Sequence, residues 1–346
     1  MPRASGKSRL RAWYTAGYMD LIAVGDIVTE PFIKLKDAEV HCAINNENCT
    51  ISMRFGDKIP YESAEVVSAV GNAANAAVAA ARLGVRAALV SDIGDDAVGE
   101  ANRARLTEEG VATDYLSVHK GMRSNYHFAL WYKDDRTILV KHEEYPYHFS
   151  PKIPGARWMY LSSLADHSLS YHEEIGKYLS LHPETKLAFQ PGTFQIKLGV
   201  EALKGLYARS ALFFCNKDEA GRILALPAGT DIKELLTKLR ALGPEVVVVT
   251  DGPRGAYAYD GTEMLRVPMY PDQRPPIERT GAGDAFSSTV AAALILGKPL
   301  KEALLWGPIN AMAVVQEIGA QKGLLTRAAL EQYLATAPAS YRVEPF

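Results

Sequence analysis

A short glycine turn in the last third of the chain is the stretch best suited to chemistry. Gly281, Ala282 and Gly283 let the backbone turn tightly and point successive N–H groups in one direction, and a helix of small residues follows. A helix N-terminus carries unsatisfied N–H groups and about half a positive charge, so it stabilises a phosphate that gains charge during transfer. Asp284, in the first turn, could take a proton from an attacking hydroxyl. The same residues could also form no more than a turn and a helix cap.

The elements that must position this turn follow an alternating pattern. From Arg157 onward, apolar strands alternate with helices, which predicts a mostly parallel sheet covered by helices on both faces. Ligands bind beyond the carboxyl ends of the strands in such α/β sheets. We therefore expect the polar residues that follow the predicted strands to share one edge with the glycine turn. They are Ser162, Gln190, Asn216 and Thr250.

Two earlier stretches carry further polar groups. An apolar run from Asp20 to Val28, broken by Gly25 and Asp26, predicts a buried first strand whose end meets a ligand, and Glu30 follows it. Such a carboxylate could accept hydrogen bonds from a polyol or be a solvated loop charge. An alanine-rich helix then opens at Gly71, Asn72 and Asn75, whose amides could bind hydroxyls or only cap a tightly packed helix.

Short strand-like stretches separated by turn residues suggest a small β-sheet apart from the α/β core. They occur at about residues 32–70 and 122–142, and inserted between the first strand and first helix they are a candidate lid. No interdomain linker stands out, so residues 19–346 are expected to form one domain. Residues 1–18 are basic, lack acidic residues and lack the apolar core of a secretion signal, and we expect a flexible extension there.

Composition excludes several functional classes. The 346 residues are 48% hydrophobic with a formal net charge of −2, which predicts a soluble globular protein without a broad basic surface for nucleic acid or membranes. No run of about 18 apolar residues is present. Three cysteines without a CxxC pair argue against a zinc site or a disulfide framework and favour a reduced, cytoplasmic setting. Pairing of Cys42 with Cys49 across a hairpin remains an alternative.

Four phrases at the predicted ligand edge resemble, in order and spacing, those of the ribokinase-like (PfkB) carbohydrate kinase family. They are GNAAN at 71–75, NKDE at 216–219, TDGPRGA at 250–256 and TGAGD at 280–284. The resemblance extends from about Met19 to the last helix. It implies a ribokinase-like α/β fold with a β lid, and an ATP- and Mg²⁺-dependent phosphotransferase acting on a primary hydroxyl of a monosaccharide or sugar acid.

The resemblance also implies a role for each matching residue. Asp284 would be the base that deprotonates the acceptor, and the N–H groups of residues 281–283 would hold the γ-phosphate. Glu219 would hold Mg²⁺, largely through water. Nucleotide contacts would come from Asn216, Thr250, Gly252, Gly255 and Asn310. Acceptor contacts would come from Asp26, Glu30, Gly71, Asn72 and Asn75.

Departures from the family pattern bear on cation and acceptor. Glu278-Arg279 stands where the family commonly has Asp-Thr, an aspartate that often helps to hold a monovalent cation, so activation by potassium stays open. Val70-Gly71 replaces a common Gly-Gly pair, and Asn72 replaces a lysine of ribose-specific members, which favours another sugar over ribose. The resemblance further implies a homodimer formed through the lid, in which residues 40–55 have apolar strand character.

Three alternatives compete with a sugar kinase. A nucleoside kinase of the same family would share the TGAGD turn and the lid. A dinucleotide-dependent oxidoreductase would need a GxGxxG motif after the first strand, and the chain has none there. A non-catalytic sugar or nucleotide sensor is disfavoured because the residues for the base and the anion hole are intact.

Overall fold

A computed structural model describes residues 18–42, 49–133, 135–153 and 155–346. The extension expected at residues 1–18 lies, apart from Tyr18, outside the described residues. In chain order the strands are β1 (Met19–Val24), β2 (Val28–Leu35), β3 (Glu39–His41), β4 (Thr50–Ser52), β5 (Tyr61–Val70), β6 (Ala87–Gly94), β7 (Leu116–His119), β8 (Phe128–Tyr132), β9 (Asp135–Leu139), β10 (Ala156–Leu161), β11 (Lys186–Phe189), β12 (Ser210–Asn216), β13 (Val246–Thr250), β14 (Ala256–Tyr259), β15 (Met264–Val267) and β16 (Glu344–Pro345). The helices are α1 (Asn72–Arg82), α2 (Ala97–Glu108), α3 (Leu169–Leu181), α4 (Thr193–Leu198), α5 (Val200–Arg209), α6 (Lys217–Leu224), α7 (Ile232–Ala241), α8 (Ala282–Ile295), α9 (Leu300–Val314) and α10 (Arg327–Ala335).

The central sheet has the strand order β16-β15-β14-β13-β12-β11-β10-β1-β6-β7. From β13 to β7 in this order, neighbouring strands are parallel, whereas β14, β15 and β16 pair antiparallel at the other end. The parallel part brings the carboxyl ends of β1, β11, β12 and β13 to one edge of the sheet. That edge is where the sequence predicts the ligand site.

Helices cover both faces of the central sheet, and β1 shows how its residues divide between them. Leu21 and Ala23 pack into the core on the side of α1, α8 and α9, whereas Ile22 and Val24 pack into the core on the side of α3, α5 and α7. Successive side chains of a strand point to opposite faces, so a strand buried on both sides is apolar throughout. The predicted α/β architecture is confirmed. None of the helices within the described ranges is long and apolar enough to cross a bilayer.

A separate four-stranded sheet, which we call the lid sheet, has the order β5-β2-β8-β9. β2 pairs antiparallel with β5 and parallel with β8, and β9 pairs antiparallel with β8. β3 and β4 form a hairpin of their own. The small β-sheet expected beside the α/β core is confirmed, and its strands occupy residues 28–35, 61–70, 128–132 and 135–139.

One expectation from the sequence is wrong. Cys42 and Cys49 form a disulfide bond at the end of the β3–β4 hairpin, although the cysteine pattern argues against a disulfide framework, while Cys215 is free and buried. Gly199, with a φ of 85°, separates helices α4 and α5. A turn at residues 114–115 separates β7 from Val111 and Ala112.

Candidate active site

The glycine turn forms the N-terminus of the buried helix α8. Gly281 precedes the helix with a φ of 79°, and a Cβ built there would lie 2.6 Å from Ala320 Cα and nearer still to Ala320 Cβ. Only glycine fits this conformation and this spacing. The first N–H groups of a helix lack intrahelical acceptors, and that of Ala282 makes only a 3.4 Å contact with the Arg279 carbonyl. The turn therefore presents donors suited to an anion.

Asp284 lies in the first turn of α8 and receives three amide hydrogen bonds. Asn72 Nδ2 donates to Oδ1 at 2.8 Å, Asn75 Nδ2 donates to Oδ2 at 2.8 Å, and Gln190 Nε2 donates to Oδ1 at 3.1 Å. Desolvation raises the pKa of Asp284, although its side chain keeps some contact with solvent. The Asn75, Gln190 and Asn72 amides oppose that rise in pKa, and the charge of Glu30 adds to it.

Helix α1 brings Asn72 and Asn75 to the carboxylate. Gly71 has a φ of 106° before the helix, and a Cβ there would lie 2.5 Å from the carbonyl oxygen of Asp26. The helix is built almost entirely of buried alanines, and it packs against α8, which contributes alanines of its own. Because small residues permit close approach, the two helix N-termini converge on Asp284, and both helix dipoles favour its negative charge.

A cavity of about 290 Å³, which we call the polar cavity, opens around Asp284. The predicted residues that line it are Glu30, Gly71, Asn72, Asn75, Asn216, Glu219, Thr250, Gly281, Gly283 and Asp284. Arg136 and Ile138 reach it from β9 of the lid sheet, and Gln190 and Arg279 complete its polar wall. Among the predicted acceptor residues, Glu30 is buried, and His127 Nδ1 lies 3.4 Å from its Oε1.

Asp26 is the predicted acceptor residue that the structure keeps out of this wall. It is buried, and the Tyr147 hydroxyl donates to both of its carboxylate oxygens, at 2.8 and 2.9 Å. His142 Nδ1 lies 2.9 Å from its Oδ2. Both oxygens of Asp26 therefore have protein partners.

A second, mainly apolar cavity of about 410 Å³ lies on the other side of the glycine turn, and we call it the apolar cavity. Thr250, Gly252 and Gly255 line it, as do Phe286, Pro308 and Met312. Gly255 has a φ of 89°, and a Cβ there would overlap the Val267 carbonyl oxygen. Thr250, Arg279 and Gly283 line both cavities, so the two cavities meet at the N-terminus of α8.

Asn310 does not reach the apolar cavity, although the sequence resemblance predicts a nucleotide contact there. Its side chain is buried; Nδ2 donates to Thr289 Oγ1 at 2.8 Å, and Oδ1 accepts from Leu325 N at 2.8 Å. It ties α9 to α8 and to the segment before α10. Its helix neighbours Pro308, Ala311 and Met312 supply the cavity wall instead.

Asn216 and Glu219 form a reciprocal cap at the start of α6. Asn216 Oδ1 accepts from Glu219 N at 2.8 Å, and Glu219 Oε2 accepts from Asn216 N at 2.9 Å. Burial raises the pKa of Glu219, which lines the polar cavity. No cluster of three or more His, Cys, Asp or Glu able to hold a metal occurs in the described part of the chain. One carboxylate fits Mg²⁺, which keeps several waters and is commonly bound through one or two carboxylates plus substrate phosphates.

Glu278 stands where the family commonly has an aspartate that helps to hold a monovalent cation. Its side chain is buried; Oε2 accepts from Thr280 N at 2.7 Å, and Oε1 accepts from Gly319 N at 3.0 Å. The carboxylate thus bridges the glycine turn and the loop that carries Ala320. Each oxygen has one backbone donor, so the carboxylate of Glu278 holds the glycine turn in place.

Comparisons with known proteins identify the family. The model of the pfkB family carbohydrate kinases matches residues 34–327. Ribokinase of Bacillus subtilis (strain 168) is 29% identical over 272 residues, covering 77% of this chain and 87% of that protein. The 5-dehydro-2-deoxygluconokinase of the same organism is 24% identical, covering 76% and 86% of the two chains, and a nucleoside kinase of Methanothermobacter thermautotrophicus is 26% identical, covering 73% and 80%.

Among solved structures, Arabidopsis thaliana ribokinase complexed with ribose and ATP is similar with a TM-score of 0.76 at 20% identity, covering 92% of this chain and 99% of that one. A fold with this sheet order and a family match over most of the chain define a sugar or nucleoside kinase of the ribokinase type. The chain belongs to the pfkB family of carbohydrate kinases. The resemblance found in the sequence is confirmed, and with it the expectation of an ATP-dependent kinase.

The sequence alone does not assign a role to two side chains at the site, Gln190 and Arg136. Gln190 follows β11 at the predicted ligand edge, but nothing in the sequence shows that its amide meets Asp284. Arg136 follows a turn in the lid sheet, and its approach to the polar cavity depends on how that sheet lies over α1 and α8. Both contacts join segments that are distant in the chain.

Proposed function

We propose that this chain transfers the γ-phosphoryl group of ATP to a primary hydroxyl of a monosaccharide or sugar acid, with Asp284 as the general base. The observation that carries the proposal is the carboxylate of Asp284, which lines the polar cavity, is held by three amides, and directly follows Gly283, where the polar and apolar cavities meet. Phosphoryl transfer needs alignment and charge stabilisation more than covalent chemistry from the protein.

In the proposed reaction the acceptor lies in the polar cavity and ATP in the apolar cavity. The acceptor hydroxyl gives its proton to Asp284 while its oxygen forms a bond to the γ-phosphorus, and the bond from that phosphorus to the β,γ-bridging oxygen breaks to release ADP. The N–H groups of residues 281–283 stabilise charge on the transferring group. Mg²⁺, held by Glu219 through water, would neutralise charge on the phosphates.

The acceptor class is argued from the polar cavity. Glu30 and the Asn72 amide suit hydroxyl groups, and Arg136 adds a cationic side chain that could pair with the acid group of a sugar acid. A nucleoside is the alternative acceptor, because the chain is also similar to a nucleoside kinase. Asp26, with both oxygens engaged by Tyr147 and His142, would support the wall of the cavity rather than contact the acceptor.

A homodimer through the lid and a cytoplasmic location complete the proposal. Apolar side chains are exposed on the lid strands and the β3–β4 hairpin, which supports a covered surface there. Use of ATP favours the cytoplasm. The Cys42–Cys49 bond is the one feature in the described residues that is more typical of an oxidising compartment.

The decisive variant is Asp284→Asn. A general base contributes about 10²- to 10⁴-fold, so kcat should fall by at least about 10²-fold while calorimetric binding of ATP is retained. Asp218→Asn is the matched control, because it makes the same change in the first turn of α6 at an exposed position. Near-normal turnover in Asp284→Asn would remove that residue from the base role.

A substrate panel separates the two acceptor classes. Ribose, fructose, 2-keto-3-deoxygluconate and adenosine are compared in a coupled assay that reports ADP. Turnover of at least one sugar or sugar acid with little turnover of adenosine supports the proposal. Phosphorylation of adenosine alone would transfer the function to the nucleoside alternative.

A further inference from the structure

Gln190 is a side chain at the site that neither the sequence motifs nor the proposed reaction uses. It follows β11 at the carboxyl edge of the sheet and lines the polar cavity. Its Nε2 donates to Asp284 Oδ1 at 3.1 Å, beside the 2.8 Å bond that the same oxygen accepts from Asn72. Oδ1 therefore receives two donors, whereas Oδ2 receives only Asn75.

The orientation of the Gln190 amide is set from behind by Tyr160. The Tyr160 hydroxyl, at the end of β10, donates to Gln190 Oε1. Tyr160 is fully buried, and burial raises the pKa of its phenol well above the usual value, so it remains a donor throughout the physiological range. A reversed amide would place Oε1 against the Asp284 carboxylate, where two acceptors would repel each other.

Asn75 is oriented in the same manner. Gln321 Nε2 donates to Asn75 Oδ1 at 3.0 Å, which directs Asn75 Nδ2 towards Asp284. Two of the three amides that face the carboxylate are therefore fixed by a donor behind them. A side chain fixed in this way holds its partner in one geometry, as a reacting group requires.

We propose that Gln190, oriented by Tyr160, is a positioning residue that holds Asp284 Oδ1 and leaves Oδ2 to accept the proton of the acceptor hydroxyl. This inference rests on the proposed role of Asp284 as the base. A carboxylate oxygen has two lone pairs: those of Oδ1 are both used by Asn72 and Gln190, while Oδ2 keeps one. Proton transfer to Oδ2 breaks none of the three hydrogen bonds that the amides donate to Asp284.

The inference predicts a particular change with pH. The Gln190 amide stabilises the charged form of Asp284 and so lowers the pKa of that carboxyl against desolvation. Gln190→Ala removes this donor, so the pKa of Asp284 rises. The base is then protonated at a higher pH, and the acidic limb of kcat/KM for the acceptor should move upward by about one pH unit, which is about tenfold in rate below the limb.

Tyr160→Phe tests the orientation without removing Gln190. The ring is retained, but the amide loses the donor that fixes it, so the limb should move in the same direction by a smaller amount. Tyr207→Phe is the matched control, because it removes the hydroxyl of another buried tyrosine, on α5, outside the polar cavity. Its profile should coincide with that of the wild type.

The experiment records kcat and KM from pH 5 to 9 for the wild type and these variants, with circular dichroism to verify folding. An upward shift of the limb, recovery of kcat/KM at high pH and an unchanged KM for ATP support the inference. A loss that is equal at every pH, or a profile like that of the wild type, overturns it. If Asp284→Asn is inactive in the same series, such a result refutes only the role of Gln190; if Asp284→Asn is active, the proposed base itself is refuted.

Discussion

Gly281→Ala is the substitution whose effect follows most directly from the geometry. The new Cβ would lie 2.6 Å from Ala320 Cα and closer still to Ala320 Cβ, whereas ordinary contacts begin at 3.4 Å, so the turn must move by at least about 0.8 Å. Alanine in the left-handed conformation costs roughly 1–2 kcal/mol, and overpacking costs about 1–3 kcal/mol. The free energy of unfolding should therefore fall by roughly 2–5 kcal/mol, less whatever the shift relieves.

The same shift acts on catalysis, because the N–H groups of the turn are the proposed anion hole. A displacement near 1 Å can cost about 10²-fold in rate, so kcat should fall by one to two orders of magnitude. The coupled ADP assay measures the rate, and urea unfolding followed by tryptophan fluorescence measures stability.

Gly283→Ala is the matched control for stability. It places the same methyl group two residues later, and its Cβ meets no atom within 4 Å. Its free energy of unfolding should equal that of the wild type or exceed it by up to about 1 kcal/mol, because alanine loses less conformational freedom than glycine on folding. Its activity is not part of the control, because Gly283 lines both cavities. Unchanged stability together with unchanged kcat in Gly281→Ala would refute the reasoning.

Two further predictions concern the cation and the lid. Glu278 bridges the backbone N–H groups of Thr280 and Gly319. Aspartate is one methylene too short for that bridge, so Glu278→Asp should lower kcat equally in choline chloride and in KCl. Recovery of the Glu278→Asp rate in KCl would contradict this. Phe55 is 102% exposed, so Phe55→Ser should leave the stability of the protomer unchanged. If the protein dimerises through the lid, light scattering should show that the variant is monomeric. A wild type that is already monomeric at micromolar concentration would count against a lid dimer.

The architecture could be predicted from the sequence, because it follows from local patterns of apolar and turn residues. Alternating apolar strands and helices predict the parallel sheet, and turn residues between strand-like stretches predict the lid sheet. The antiparallel strands β14 to β16 were not predicted, because each is short and pairs at an edge of the sheet. The sequence does not predict the disulfide, because two cysteines seven residues apart give no indication of pairing beyond their spacing.

The site was predictable to the level of which residues meet at one edge, and less so for what each side chain does there. The resemblance implies that Asn72 and Asn75 contact sugar hydroxyls, and no motif indicates that their nitrogens also donate to Asp284. The resemblance implies that Asn310 contacts the nucleotide, and no motif indicates that its amide is hydrogen-bonded inside the fold. Such outcomes depend on which of two polar neighbours an amide faces, and that is decided by packing between distant segments.

The amides around Asp284 also bear on whether ATP is hydrolysed by water when no sugar is bound. They hold the carboxylate in place without a bound sugar, so a water molecule in the polar cavity would meet the same proposed base as a sugar hydroxyl would. The proposed base alone would therefore not prevent hydrolysis of ATP by water. Discrimination between water and the sugar would then come from other residues that line the cavity, which include Arg136 and Ile138 of the lid sheet.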